Sequence, residues 1–261
     1  MSMELERFLA FAQEIGYAAG RLTLGYFARA LEISDKQDGS PVTVADRQAE
    51  ALIRQAIEAQ FPDHGIYGEE YGVKEPRPGC SYTWFIDPID GTKSFIHGVP
   101  LYSTLVALQR DQTVVVGVIT CPALGEQLAA AQGRGCFLNG RQVQVSGVDQ
   151  LQRAVILCSD PRDVEVNAPL PGWRHLWRDC RYVRSWGDAY GHLLVASGRA
   201  EIMIDPVVEP YDVAPLPVIL QEAGGVYGDW HGQVTLFGRS AISCNRALAD
   251  TVWQTLKMAP S

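Results

Sequence analysis

Hydrophobic positions along the chain follow two spacings, one typical of helices and one typical of strands. Leu5, Phe8 and Ile15 belong to an apolar series at helical spacing, which predicts an amphipathic helix over residues 4–30. A second helix is predicted over residues 43–61, where the letters FPDHG provide an end signal. The first part of the chain is therefore expected to begin with two helices separated by a polar segment.

Strand patterns follow these helices and then alternate with further helices. Val- and Thr-rich runs predict neighbouring strands over residues 101–110 and 113–123, and a short apolar strand at residues 84–90 is expected to end in acidic residues. In the second half, strands are predicted at 154–159 and 201–206, and helices at 186–198, 212–225 and 246–257. This mixture predicts layered sheets and helices. We expect one domain over residues 1–261, with halves of about 1–145 and 146–261.

Composition and charge exclude several classes of protein. The 261 residues are 47% hydrophobic and 20% charged, a balance that permits a sizeable core and excludes general disorder. A net charge of -8, without a Lys/Arg run, disfavours nucleic-acid binding. No apolar stretch approaches the length of a membrane span, and the N-terminus lacks the features of a signal peptide. Six scattered cysteines without a C-x-x-C pair fit reduced thiols, so a cytoplasmic protein is predicted.

The segment IDPIDGT at residues 86–92 concentrates candidate chemistry. Asp87 and Asp90 are three residues apart on a turn fixed by proline, and Ile89 offers a backbone carbonyl between them. Such oxygen ligands suit hard cations. Gly91 permits a close backbone approach, and a helix starting after it would aim free amides at a phosphate. Aspartate also commonly caps helices, so spacing alone leaves a structural role for these residues open.

Other acidic residues are ambiguous when each is taken alone. Glu69 and Glu70 lie in a glycine-punctuated segment, and Asp212 lies at the start of a predicted helix. Each has the character of a solvent-exposed acidic residue in a loop or of a helix cap. Thr43 and Asp46 match a capping box at the start of the second helix. Taken singly, none of these positions predicts a function.

Four motifs taken together carry a resemblance to a known family. The strings GSPVTVAD, GEE, WFIDPIDGTKSF and EPYDVAPLPVILQEAGG, in this order, resemble the inositol monophosphatase family of metal-dependent phosphatases. The string WGDAYGHLLVASGRAEIMIDP is most similar to the histidinol-phosphatase branch. The resemblance spans nearly the whole chain. It implies an α/β/α/β/α sandwich, a homodimer and a site for two Mg²⁺ ions, with a third, weaker ion near Glu69.

The resemblance also implies a role for each site residue. Glu69, Asp87 and the carbonyl of Ile89 would hold the first metal. Asp87, Asp90 and Asp212 would hold the second, so Asp87 would bridge the two ions. The implied catalytic residues are Glu69, Thr92 and Asp46. Thr92 and Asp46 would be hydrogen-bonded to each other and would orient the attacking water. The amides of Gly91 and Thr92 would bind the phosphate.

Substrate contacts are expected from three further residues. Asp205 and Asp188 would meet the end of the substrate opposite the phosphate, where carboxylates would pair with the positive charges of histidinol phosphate. Arg184 is a third candidate. Asp188 also fits a helix N-cap, and Arg184 also fits a surface or interface ion pair.

The expected activity is hydrolysis of L-histidinol phosphate to L-histidinol by a metal-activated water, in histidine biosynthesis. Inositol-1-phosphate hydrolysis is the nearest alternative. A 3'-nucleotidase or fructose-bisphosphatase activity is more distant. A non-catalytic metal- or phosphate-binding regulator is a rival from another class, since a fold alone does not prove activity. The sequence leaves the roles of Lys36, Glu70 and His192 open.

Overall fold

Nine helices are formed by the part of the chain that the structure, a computed structural model, describes: residues 2–29, 33–35 and 41–259. Lys36 lies outside the described residues. The helices are α1 (Ser2–Leu24), α2 (Val44–Gln60), α3 (Thr92–Ile96), α4 (Pro161–Asn167), α5 (Trp173–Asp179), α6 (Ala189–Ala196), α7 (Pro210–Val213), α8 (Leu216–Glu222) and α9 (Ala249–Leu256). Short 3-10 turns at Leu151–Arg153 and Arg246–Leu248 complete the helical segments of this part.

The strands of the described residues form three sheets. They are β1 (Ile33–Asp35), β2 (Pro41–Thr43), β3 (Gly65–Gly68), β4 (Gly72–Lys74), β5 (Tyr82–Asp90), β6 (Ser103–Arg110), β7 (Thr113–Cys121), β8 (Glu126–Ala131), β9 (Cys136–Leu138), β10 (Arg141–Val143), β11 (Val155–Cys158), β12 (Tyr182–Arg184), β13 (Ile202–Asp205), β14 (Gly225–Gly228) and β15 (Ala241–Asn245). Strands β1 and β2 pair only with each other.

The larger sheet has eight strands in the order β10-β9-β8-β7-β6-β5-β3-β4. Strands β5 to β8 form an antiparallel meander, whereas β3 runs parallel to β5. The smaller sheet has the order β12-β11-β13-β15-β14, with β11 parallel to both neighbours. The larger sheet uses strands only up to Val143 and the smaller one begins at Val155, so a single connection joins them.

Three hydrophobic clusters stack the elements into five layers. The first packs α1 and α2 against one face of the larger sheet. The second places α6 and α8 between the two sheets, through residues such as Leu193 and Ile219. The third packs α5 and α9 on the outer face of the smaller sheet, through residues such as Leu176 and Val252. The expected α/β/α/β/α sandwich is confirmed.

Element positions agree with the sequence pattern, with three corrections. Helix α1 ends at Leu24 rather than near residue 30. Strand β5 begins at Tyr82 rather than at residue 84, and it ends in its acidic residues as predicted. The predicted helix at 212–225 is divided into α7 and α8. Pro215 lies between them and has no backbone N–H to donate to the preceding turn. None of the described helices is long and apolar enough to cross a membrane.

Candidate metal centre and active site

A bulge in β5 sets the directions of the first two carboxylates. Asp87 pairs with Leu105 of β6 and Asp90 pairs with Ser103, so β5 contains one extra residue between these positions. Such bulges redirect side chains and are common beside active sites. A hydrogen bond inside the turn stabilises it, because the amide of Ile89 donates to Oδ1 of Asp87 at 3.0 Å. Asp87 and Asp90 are 2% and 9% exposed.

The third carboxylate comes from the second part of the chain. Asp212 lies in α7, where its Oδ2 accepts a 2.8 Å hydrogen bond from the amide of Glu209 in a capping box. Ligand oxygens of Asp87, Asp90 and Asp212 all lie within 4.8 Å of one another. The structure therefore brings together three of the sequence-predicted metal ligands.

Burial and mutual repulsion shift the pKa values of this cluster upward. The pKa of Asp87 is raised mainly by desolvation and further by the nearby charges of Glu69, Asp90 and Asp212. Desolvation also raises the pKa of Asp90, with Asp188 as the strongest neighbouring charge. The pKa of Asp212 rises to about 7, again mainly because of burial. Several carboxylates thus share one buried space.

This arrangement fits a hard metal ion. Asp87, Asp90 and Asp212 take part in none of the ion pairs between described residues. Buried carboxylates without a basic partner are costly unless a cation neutralises them. The donors are oxygens alone, as magnesium, calcium and manganese prefer.

Glu69 lies beside the cluster, at the end of β3. Its amide donates to the carbonyl of Ile86 at 3.3 Å, which holds the Glu69 backbone against β5. Its charge and a side-chain hydrogen bond both raise the pKa of Asp87, so the two carboxyl groups are neighbours. Glu69 is therefore a neighbour of the carboxylate cluster.

Thr92 and Asp46 do not form the hydrogen bond expected from the resemblance. The hydroxyl of Thr92 donates to the carbonyl of Ile89 at 3.0 Å, a local contact favoured by the tight turn into α3. Oδ2 of Asp46 accepts from both the amide and the hydroxyl of Thr43, at 2.8 and 2.6 Å. The capping box of α2 thus occupies one oxygen of Asp46. Its buried Oδ1 has no hydrogen-bond partner among the described residues.

Gly91 lies between Asp90 and α3. It has a φ of 78°, a left-handed conformation that favours glycine. A Cβ at this position would lie 2.8 Å from Oδ2 of Asp188 and 3.1 Å from the carbonyl of Leu101. Glycine is thus required for both backbone conformation and space, and Asp188 lies directly against the predicted phosphate-binding turn.

A second group of carboxylates adjoins the metal cluster. Burial raises the pKa of Asp205 well above its usual range, and the charges of Asp188 and Asp212 raise it further. Asp205 accepts a 2.8 Å hydrogen bond from the hydroxyl of Ser159. Asp188 precedes α6 but makes no capping hydrogen bond with its side chain, so the helix-cap alternative does not account for its carboxylate.

Arg184 is not held against these carboxylates. It ends the edge strand β12 and is exposed. Its guanidinium lies 4.9 Å from the ring centroid of Tyr182 and donates to the carbonyl of Val183. The described contacts of its guanidinium therefore stay on its own strand.

Sequence reasoning missed several residues that hold the site residues in position. Ser103 donates to Oδ2 of Asp90 at 3.1 Å, and Thr104 donates to the carbonyl of Pro88 at 2.8 Å. Glu50 accepts hydrogen bonds from the amides of Glu70 and Tyr71. These residues lie in ordinary helix and strand patterns. Only their polarity at buried positions distinguishes them, and burial is known only from the fold.

Comparisons with known proteins agree with this geometry. The family model described as the inositol monophosphatase family matches residues 4–259. The chain is 45% identical over 245 residues to a histidinol-phosphatase of Chlorobaculum parvum, covering 92% of this chain and 93% of that protein. It is 33% identical to an inositol-1-monophosphatase of Mesorhizobium japonicum, covering 87% and 86%. The crystal structure of the extragenic suppressor protein suhB from Bartonella henselae superimposes with a TM-score of 0.90 at 26% identity, covering 97% and 100%.

The five-layered fold is shared with inositol monophosphatase-fold proteins, and the family that the chain matches is one of metal-dependent phosphatases. The chain belongs to the inositol monophosphatase family. It is a phosphatase, and the acidic cluster at Asp87, Asp90 and Asp212 can hold a metal ion.

Proposed function

We propose that this phosphatase hydrolyses L-histidinol phosphate to L-histidinol and phosphate, in histidine biosynthesis, with magnesium as its metal. The observation that supports the substrate is the pair of carboxylates beside the metal cluster, Asp188 and Asp205. Histidinol phosphate carries a phosphate at one end and an ammonium group and an imidazole at the other. An acidic pocket next to a metal centre would complement both ends.

In the proposed mechanism, two Mg²⁺ ions would be held by Glu69, Asp87, Asp90, Asp212 and the carbonyl of Ile89, and a third, weaker ion would lie near Glu69. Magnesium, when bound, supplies positive charge to the phosphate oxygens and the leaving oxygen and lowers the pKa of the attacking water.

The chain itself would orient the reactants. Thr92 and the free oxygen of Asp46 would position the attacking water. Rotation of the Thr92 hydroxyl away from Ile89 would leave that carbonyl available as a metal ligand. The amides of Gly91 and Thr92, at the start of α3, would hold the phosphate. No nucleophilic side chain is needed in this scheme, and the buried Cys121 beside the site has a pKa raised by desolvation, which makes its thiolate rare.

The far end of the substrate would contact the second carboxylate group. Asp188 would bind the ammonium group, since it lies against Gly91 and therefore next to the phosphate position. Asp205 would bind the imidazole, with Ser159 keeping its carboxylate in place. Arg184 would need to turn away from Tyr182 to contribute, and we retain it as a candidate at the outer edge of the pocket.

Inositol-1-phosphate is the second candidate substrate. Carboxylates also accept hydrogen bonds from hydroxyl groups, and one of the relatives described above is an inositol-1-monophosphatase. A nucleotide 3'-phosphatase or fructose-bisphosphatase has less support. A non-catalytic regulator is disfavoured, because Glu69, Asp87, Asp90, Asp212, Thr92 and Asp46 are all present.

The test is phosphate release by purified protein with Mg²⁺, comparing L-histidinol phosphate with inositol-1-phosphate, each with a chelator control. We expect a higher kcat/KM for histidinol phosphate and no release with chelator. A preference for inositol-1-phosphate would reject the substrate assignment and retain the metal site. Release that persists in chelator, or a covalent phosphoenzyme on Asp or Cys, would reject the mechanism.

We further propose that the enzyme works in the cytoplasm as a homodimer. The family resemblance supports the dimer, and the free cysteines of the described residues are consistent with a reducing compartment. Light scattering coupled to size-exclusion chromatography would measure the mass directly. A monomeric mass of 28.7 kDa at working concentrations would reject the dimer.

A further inference from the structure

Helix α2 carries a carboxylate that is fully buried and whose two oxygens are both engaged. Oε2 of Glu50 accepts a 2.6 Å hydrogen bond from the amide of Glu70, and Oε1 accepts from the amide of Tyr71 at 3.2 Å. Oε1 also accepts from Nε of Arg54 at 2.7 Å. Glu50 has 0% exposure, so these bonds replace the water that a carboxylate would otherwise bind.

The Glu50–Arg54 pair binds three consecutive backbone groups that follow a predicted metal ligand. Besides the two amides held by Glu50, the guanidinium of Arg54 donates to the carbonyl of Gly72. Arg54 offsets the charge of Glu50, so this carboxylate adds no net negative charge to a region already crowded with acids. The pair therefore fixes the chain immediately after Glu69.

The chain before Glu69 is fixed by a different contact. Strand β3 pairs with β5 up to Gly68, which lies opposite Ile86, and the amide of Glu69 donates to the same Ile86. A Cβ on Gly68 would lie 2.1 Å from Oε1 of Glu50. Glycine therefore lets the strand end approach the buried carboxylate. Glu69 is thus held between the sheet on one side and α2 on the other.

The same helix positions a second predicted catalytic group. Asp46 and Glu50 are four residues apart and so share one face of α2. Asp46 starts the helix through its capping box with Thr43. The contacts of Glu50 with the amides of Glu70 and Tyr71 therefore connect the helix that carries Asp46 to the segment that carries Glu69.

We infer that Glu50 is a positioning residue for the metal centre, which fixes Glu69 through the amides of Glu70 and Tyr71 and so raises metal affinity. This inference rests on the metal site of the proposed function. Replacing Glu50 by glutamine would turn one acceptor into an NH₂ group facing a backbone N–H. Residues that orient metal ligands typically change metal affinity by about 10- to 100-fold, and we expect a loss in this range.

The experiment measures the dissociation constant of Mn²⁺ from the protein by calorimetry and the Mg²⁺ concentration for half-maximal phosphate release. Glu50→Gln is compared with wild type and with Glu58→Gln. Glu58 lies on the same helix, and its ion pair with Lys74 at 3.7 Å is partly exposed and is its only ion pair among the described residues. We expect Glu50→Gln to raise both quantities about 10- to 100-fold and Glu58→Gln to leave them unchanged. A destabilised Glu50→Gln protein with unchanged Mn²⁺ affinity would overturn the inference.

Hydrogen exchange on the wild-type protein provides a test that needs no variant. Energetic coupling between two sites is reciprocal. If the hydrogen bonds to Glu50 raise the metal affinity, bound metal must in turn stabilise these hydrogen bonds. We expect the amides of Glu70 and Tyr71 to exchange slowly, and about tenfold more slowly again with saturating Mg²⁺. Exchange as fast as in an open loop, or unaffected by Mg²⁺, would overturn the inference even if Glu50→Gln failed to fold. If wild type bound no divalent ion, the proposed metal site itself would be rejected.

Discussion

The backbone amide of Ala189 donates a 2.7 Å hydrogen bond to Oδ2 of Asp90, across 99 residues of sequence. Ser103 donates to the same oxygen, so Oδ2 is engaged within the protein. Asp188 immediately precedes Ala189. The proposed metal ligand and the proposed substrate carboxylate are therefore fixed to each other, although they lie in different parts of the chain.

Asp87→Asn should lower phosphate release and at the same time stabilise the metal-free protein. Removing one of the mutually repelling carboxylates should raise the unfolding free energy of the metal-free protein, since burial and three neighbouring acids raise the pKa of Asp87. Phosphate release should fall by about 100-fold or more, a barrier increase of about 2.7 kcal/mol. Denaturant unfolding in EDTA and Mg²⁺-dependent turnover check the two effects.

A surface substitution provides the control for this prediction. Asp63 is largely exposed and pairs with Arg77 at 3.0 Å, so Asp63→Asn should change neither property appreciably. Near-wild-type turnover of Asp87→Asn with Mg²⁺ would contradict the metal assignment.

Asp188→Asn should alter substrate preference more than metal dependence. The carboxylate lies against Gly91 and would pair with the substrate ammonium group, whereas asparagine keeps the shape and loses the charge. We expect kcat/KM for L-histidinol phosphate to fall about 10- to 100-fold, and that for inositol-1-phosphate to fall less. Equal losses for both substrates would argue against charge recognition by Asp188.

Thr92→Val should reduce turnover while retaining metal binding. Valine has a similar shape but no hydroxyl to orient water, so we expect kcat to fall by about 100-fold or more. Thr92→Ser is the matched variant, because it keeps the hydroxyl that now donates to Ile89, and it should retain most of the activity. Mn²⁺ affinity measured by calorimetry should be similar for both variants. A Thr92→Val enzyme as active as Thr92→Ser would exclude the water-orienting role.

His192 should make stability depend on pH below neutrality. Complete burial lowers its pKa to about 3, while Nδ1 shares a 2.7 Å hydrogen bond with the hydroxyl of Ser243. The unfolded chain takes up a proton below pH about 6.5 and the folded chain does not. The contribution of His192 is therefore full above pH 6.5 and is lost as the pH falls towards 3, by at most about 1.4 kcal/mol per pH unit.

A pair of histidine variants would isolate this effect. Urea unfolding in EDTA should give a flatter pH profile between pH 6.5 and 4 for His192→Gln than for wild type. His231 is exposed, so His231→Gln should retain the wild-type profile. Parallel profiles for wild type and His192→Gln would show that His192 is not held neutral.

Much of the fold follows from local sequence signals. The capping box of Thr43 and Asp46 begins α2 as predicted, and the Val-rich runs form the β6–β7 pair. Asp212 occupies the first turn of a helix, also as predicted. These features depend on periodicity and on hydrogen bonds between near neighbours. Both are readable from a few adjacent residues.

The sequence predicted less well where long-range contacts decide the structure. The bulge that keeps Asp90 within β5 arises from pairing with β6, which no local pattern specifies. The roles of Glu50 and Ser103 depend on partners 20 and 13 residues away. The expected Thr92–Asp46 hydrogen bond came from family resemblance, and in this structure both residues instead bond to near neighbours in the chain.

Asp212 joins Asp87 and Asp90 from beyond the single connection that links the two sheets. A chain cut within that connection would leave two aspartates on one fragment and the third on the other. The connection is also held by the second fragment, since the amide of Val145 donates to the carbonyl of Ala223 at 3.0 Å. Neither fragment alone would present all three carboxylates. Divalent-ion affinity in a mixture of the two fragments would therefore report whether the sheets have reassembled.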